Sequence, residues 1–154
     1  MKVTDKYGKQ ADLALNLWVK LARATATFGM LTTENIRTFG LTEPQFAVLE
    51  CLGHLGPMKI TDLSKKMLVS SGNITCVVDN LEKEQLVKRI SSNEDRRVTM
   101  VQLTQKGERM FSEIFIQHAE FITSISCVLS ENEQKTLSGL LKKLGLSLSQ
   151  KDKA

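Results

Sequence analysis

Between Asp12 and Phe28, apolar residues fall at Leu13, Leu17, Leu21, Ala24 and Phe28, three or four positions apart. That spacing lines them along one face of an amphipathic helix, which is expected to run on to about Thr38 before Gly40 interrupts it. Leu41-Thr42-Glu43-Pro44-Gln45 then has the form of a capping box. Thr42 stands at the N-cap, Gln45 three residues on, and Pro44 in the first turn, where a missing N–H does no harm. Phe46, Val48, Leu49 and Leu52 make the buried stripe of a second helix, expected to end within residues 53–57. Ile60, Leu63 and Met67 share one side of a short third helix. After the turn Leu68-Val69-Ser70, a fourth helix is expected from Ser71, burying Ile74, Val77, Val78 and Leu81.

The period then changes from helical to extended. Leu86 to Ile90 and Val98 to Leu103 are β-rich runs, joined by the polar stretch Ser91-Ser92-Asn93-Glu94-Asp95-Arg96-Arg97, which reads as a two-stranded hairpin. Thr104 can cap a long fifth helix carrying Phe111, Ile114, Phe115, Ile122, Ile125 and Leu129. Ser130-Glu131-Asn132-Glu133 is a second capping box, and Leu137, Leu140, Leu141 and Leu144 stripe a final helix. The polar tail from Ser147 is expected to fray. No internal repeat or low-complexity segment interrupts this order, and the expected fold is mainly α with a small two-stranded β-wing.

Composition narrows the picture. A chain of 154 residues fits one domain, and two prolines, nine glycines and 5% aromatics disfavour a many-stranded sandwich. Lys and Arg number 21 against 17 Asp and Glu, a net +4 that permits nucleic-acid binding without demanding it. Between residues 59 and 109 there are ten basic residues against seven acidic ones, so three of the four excess charges lie in the region of the short helices and hairpin. The polar start and the charges Lys20 and Arg23 leave no signal peptide or membrane span, which implies a cytoplasmic protein. Cys51, Cys76 and Cys127 are odd in number and form no C-x-x-C pair, against both a disulfide framework and a zinc site. No cofactor is expected.

Two short helices around a tight turn, followed by a hairpin with a basic tip, is the order of a winged helix-turn-helix over residues 41–104. On the fourth helix, the face opposite Ile74, Val78 and Leu81 bears Gly72, Thr75, Cys76 and Asp79, flanked by Ser71 and Asn73. These are small donors and acceptors able to approach base edges. Ser70 and Ser71 sit at the helix start, where free N–H groups and the positive end of the helix dipole can meet a phosphate. Arg96 and Arg97 are placed to follow the backbone or enter a minor groove, with Asp95 orienting an arginine. For Lys65, Lys66 and Arg89, a solvated face and a phosphate contact both fit.

The run Asp95-Arg96-Arg97-Val98-Thr99-Met100-Val101-Gln102-Leu103-Thr104 resembles the D-x-R-x-x-x-V-x-L-T wing signature of the MarR (multiple antibiotic resistance regulator) family, and Ser70-Ser71-Gly72-Asn73-Ile74-Thr75 is similar to its recognition-helix start. The element order matches over nearly the whole chain. The resemblance implies a bacterial transcriptional regulator whose Ser70, Ser71, Asn73 and Thr75 work in the major groove of double-stranded DNA, with Arg97 in the minor groove and Asp95 holding it. It implies that helices within 5–38 and 105–148 intertwine with a second copy, forming a homodimer on a palindromic operator. Cys76 departs from the larger or basic residue that relatives often carry, which bears on operator preference.

The resemblance also implies an effector cleft for small aromatic or phenolic compounds. Trp18, Phe28, Met30, Phe46 and His54 could line it, and plain core packing explains the same residues. Cys76 is the thiol whose oxidation would disturb DNA contact, and it can equally be an inert small side chain, while Cys51 and Cys127 read as buried packing residues. His54 and His118 lack the neighbouring ligands of a metal site. Two functions remain in play: a sequence-specific regulator, expected to be a repressor, and a winged-helix protein-interaction module whose basic wing is incidental. An enzyme is disfavoured, since there is no nucleophile–base motif, Gly-rich phosphate loop or paired acids.

Overall fold

The computed structural model describes residues 6–67, 71–91 and 99–151. The elements are α1 (Lys9–Thr38), α2 (Glu43–Leu55), β1 (Met58–Lys59), α3 (Ile60–Met67), α4 (Ser71–Lys83), β2 (Val87–Ser91), β3 (Thr99–Leu103), α5 (Gln105–Ser126) and α6 (Glu131–Lys151). The chain divides between Ile116 and Gln117, inside α5, into two compact units.

In the first unit, local chemistry sets the helix ends. The Thr42 hydroxyl accepts from the Gln45 N–H and the Gln45 side chain accepts from the Thr42 N–H, completing the expected capping box. Helix α2 ends within the expected stretch 53–57, at Gly56, whose φ of 77° is the left-handed conformation that favours glycine and whose N–H bonds to the Leu52 carbonyl. Gly53 lies inside the helix, where a β-carbon would fall 2.4 Å from the Phe111 ring of α5, so glycine lets the ring lie against the backbone.

The wing sheet has three strands in the order β1-β3-β2, not the expected two. Met58 and Lys59 pair antiparallel with Val101 and Met100, while Val87 pairs with Leu103 and Arg89 with Val101. A two-residue strand is too short to show a period, which is why the pattern of residues missed it.

One core joins these pieces: Val48 and Leu49 of α2, Leu63 of α3, Ile74, Val78 and Leu81 of α4, and Val101 of β3 are all fully buried. Ile36 and Leu41 tie the end of α1 to it, and Phe39 stacks on Phe46 with ring centroids 6.4 Å apart. At the other end of α4, Leu86 N–H bonds to Leu81 C=O and Gln85 N–H to Glu82 C=O, a Schellman ending whose left-handed residue is Gln85 rather than glycine. The start of α5 locks onto this turn. The Thr104 hydroxyl donates to the Gln85 carbonyl at 2.6 Å and accepts from the Gly107 N–H, and the Thr104 N–H donates to the Leu86 carbonyl at 3.0 Å.

In the second unit, the Ser130 N–H and hydroxyl both donate to the Glu133 carboxylate, at 2.8 and 2.7 Å. These bonds hold the Glu133 carboxyl below its usual pKa, the hydroxyl contributing most. Gln134 closes the turn before α6 by donating to the Leu129 carbonyl. Leu137, Leu140, Leu141, Leu146 and Leu148 of α6 are exposed.

Candidate nucleic-acid interface

Helix α4 is anchored on one side and open on the other. Ile74, Val78 and Leu81 fix it to the core, while Gly72, Asn73, Thr75 and Cys76 are exposed. A β-carbon on Gly72 would meet nothing within 4 Å, so this part of the face is unobstructed. Thr75 and Asp79 are one turn apart on this helix, and α3 presents Lys65 and Lys66 exposed before α4 begins. The face thus combines small polar groups with nearby cations, the pattern that can meet base edges and phosphates.

Asp79 is not an unpaired acceptor on that face. Arg89, from β2, donates through Nη2 to Asp79 and through Nη1 to Glu82, and its main-chain N–H bonds to the other Glu82 oxygen at 3.1 Å. These partners raise the Arg89 pKa, led by the hydrogen bond to Asp79, so the guanidinium stays charged. The short run of residues gave Arg89 as solvated or phosphate-bound. An ion-pair partner ten residues upstream and across a turn is invisible to helical periodicity.

Ser70, Asp95, Arg96 and Arg97 lie outside the described residues, and of Ser71 the backbone alone is described, as the first residue of α4. The five candidate cleft residues are not alike. Trp18, Phe28 and Met30 are exposed on α1, whereas Phe46 is a core residue. His54 sits edge-on to Phe111 and Phe115, with centroids 5.2 and 4.4 Å away. A shallow depression of about 460 Å³ lined by Leu55, Pro57, Met58, Asp62, Lys65 and Lys66 includes none of the five.

The cysteines differ as well. Cys76 is exposed on α4, and Cys51 is half-buried with its thiol pKa raised, first by burial and then by Glu50. Cys127, expected to be buried, is exposed, and its thiol donates to the Ser124 carbonyl. Among the described residues, no group of three His, Cys, Asp or Glu side chains could hold a metal ion, and no helix is long and apolar enough to cross a membrane.

Residues 41–99 match the model of the MarR family. The HTH-type transcriptional regulator MhqR of Bacillus subtilis (strain 168) is 39% identical over 139 residues, covering 90% of this chain and 96% of that protein. The chain belongs to the MarR family. It is therefore a DNA-binding transcriptional regulator with a winged helix-turn-helix, and not an enzyme. Among solved structures, a MarR family protein from Bacillus stearothermophilus superposes with a TM-score of 0.73 at 25% identity, covering 92% of this chain and 98% of that one. A MepR-like protein complexed with pseudoligands is 35% identical with a TM-score of 0.61, covering 81% and 91%.

Proposed function

We propose that this MarR-family protein is a repressor that binds a palindromic duplex site as a homodimer, with its hold on DNA modulated by a small aromatic or phenolic ligand or by oxidation of Cys76. The observation that carries the reading is the division of α4 into a side sealed in the core and an exposed side bearing Gly72, Asn73, Thr75 and Cys76. A helix held rigidly by its apolar residues can present small polar groups to a major groove in one register.

In this reading Asn73 and Thr75 read bases, Ser70, Ser71 and Lys65 meet phosphates, and Arg96 and Arg97 reach the backbone and minor groove with Asp95 orienting them. Two copies would set their reading helices about 34 Å apart, one turn of duplex. Exposed Leu13, Leu17 and Trp18 on α1, and the exposed leucines of α6, support a second copy as the surface they bury against. The likeness to a MepR-like protein complexed with pseudoligands supports ligand control, with Trp18, Phe28 and His54 as candidate cleft residues. A DNA target places the protein's work in the cytoplasm.

Binding titrations on a selected duplex and on random DNA, each at several salt concentrations, test this. Arg97→Ala should weaken binding to both and lower the salt slope by about one, whereas Asn73→Ala or Thr75→Ala should mainly erode the preference for the selected duplex. A flat salt dependence would instead favour a protein-interaction module.

A further inference from the structure

We propose that Arg89 is a positioning residue for DNA reading, holding α4 and β2 at one angle while cancelling the carboxylates that α4 carries beside its reading face. The inference rests on the DNA-reading role of α4 proposed above.

Asp79 and Glu82 are three residues apart, hence neighbours on the surface of α4. Asp79 also follows Thr75 by one turn, so it continues the stripe that begins with Gly72 and Thr75. An uncompensated acid pair there would repel the phosphates flanking any groove that α4 entered. Arg89 meets both acids from a different element. Its two guanidinium nitrogens go to separate carboxylates, and its N–H takes the remaining oxygen of Glu82. Three bonds from one residue of a paired strand to one turn of a helix fix an angle, which a single ion pair would not. Arg89 is itself registered against Val101 in the middle of β3, so the angle is referred to the strand pair that leads to the wing. A lysine could keep the charge yet not the fork, since an ammonium is a point charge on a flexible stem.

The test uses the full-length protein, a duplex that the wild type selects from a random library, and a random duplex of equal length. Arg89→Lys should lower affinity for the selected duplex by about tenfold, the middle of the range for coupled neighbours. Affinity for random DNA and the salt slope should stay as in the wild type. Asp79→Asn with Glu82→Gln, which keeps Arg89 and the side-chain shapes, should raise affinity for random DNA while also lowering the ratio of selected to random binding. Both variants would be measured well below their melting temperatures, so that loss of folded protein does not enter, and the double variant decides the matter should Arg89→Lys fail to fold. Equal losses on both duplexes with a salt slope reduced by about one would make Arg89 a phosphate contact and overturn the proposal. Unchanged ratios in both variants would reduce the clamp to fold support and overturn it as well. A wild type without preference for any duplex would overturn the preceding reading and this one together, whereas a selective wild type with indifferent variants would overturn this one alone.

Discussion

Leu49 in α2 has none of its surface exposed, whereas Leu140 in α6 has 60% of its surface open to solvent. The same residue type serves opposite ends in the two regions. In the helix-turn-helix and its sheet, apolar side chains are consumed by α2, α3, α4 and β3 of the same chain, and the helix ends are closed by the Thr42 capping box and the Thr104 bonds. In α1 and α6 the periodic leucines remain outside, so their spacing encodes a surface rather than a core. Periodicity reports that a face is apolar, and not whether the partner lies in the same chain.

Leu49→Ala is the strongest way to probe that contrast. It should destabilise the fold by about 3 kcal/mol, whatever the protein concentration. Leu140→Ala should act through association, so that its effect on melting shrinks as the protein is diluted and both proteins dissociate. Thermal melts over a hundredfold range of concentration compare them, and a Leu140→Ala effect independent of concentration would remove the distinction. Next in size is Gly107→Ala. A β-carbon there falls 2.0 Å from the Leu86 carbonyl oxygen, a backbone atom that cannot swing aside, and denaturant unfolding should show a loss of about 2–3 kcal/mol.

Gln85→Gly should act in the opposite direction and more weakly. Gln85 has a φ of 61° at the end of α4, and relieving a side chain in that conformation should stabilise the protein by about 1 kcal/mol. No gain in denaturant midpoint would mean that the Gln85 side chain compensates for its backbone.

The smallest effect belongs to the start of α6. Because the Glu133 carboxyl is held below its ordinary pKa by Ser130, its contribution is present above the ordinary carboxyl range and disappears as pH falls through the lowered value. The protection of the first-turn amides of α6, taken relative to their intrinsic exchange rates at each pH, should therefore fall on acidification, and Glu133→Gln should flatten that response. Equal pH responses in the two proteins would detach the effect from Glu133.

Much of this was legible because it is local. Thr42 with Gln45 and Thr104 before α5 are short-range chemistry, and Ile74, Val78 and Leu81 repeat at helical spacing whatever surrounds them. The end of α2 within residues 53–57 was legible too, whereas the contact of Gly53 with the Phe111 ring was not, because residue order says nothing about a ring arriving from α5. The strand Met58–Lys59 exists through its pairing with Met100 and Val101, and two residues cannot declare a period. Of the interface, the polar face of α4 could be read from residue order, whereas the commitment of Arg89 to Asp79 and Glu82 required the turn at Gln85 to bring them together.

The glycine in the middle of α2 has a mechanical side. With no β-carbon at Gly53, the Phe111 ring bears directly on main chain, and His54 beside it meets the faces or edges of Phe111 and Phe115. Such a joint has little slack, so a shift of that aromatic pair would be taken up by the body of α2 instead of being absorbed in a side-chain rotation. Since the buried residues of α2 and α4 lie in one core, the first half of α5 and α4 are geared to one another through a single missing methyl group.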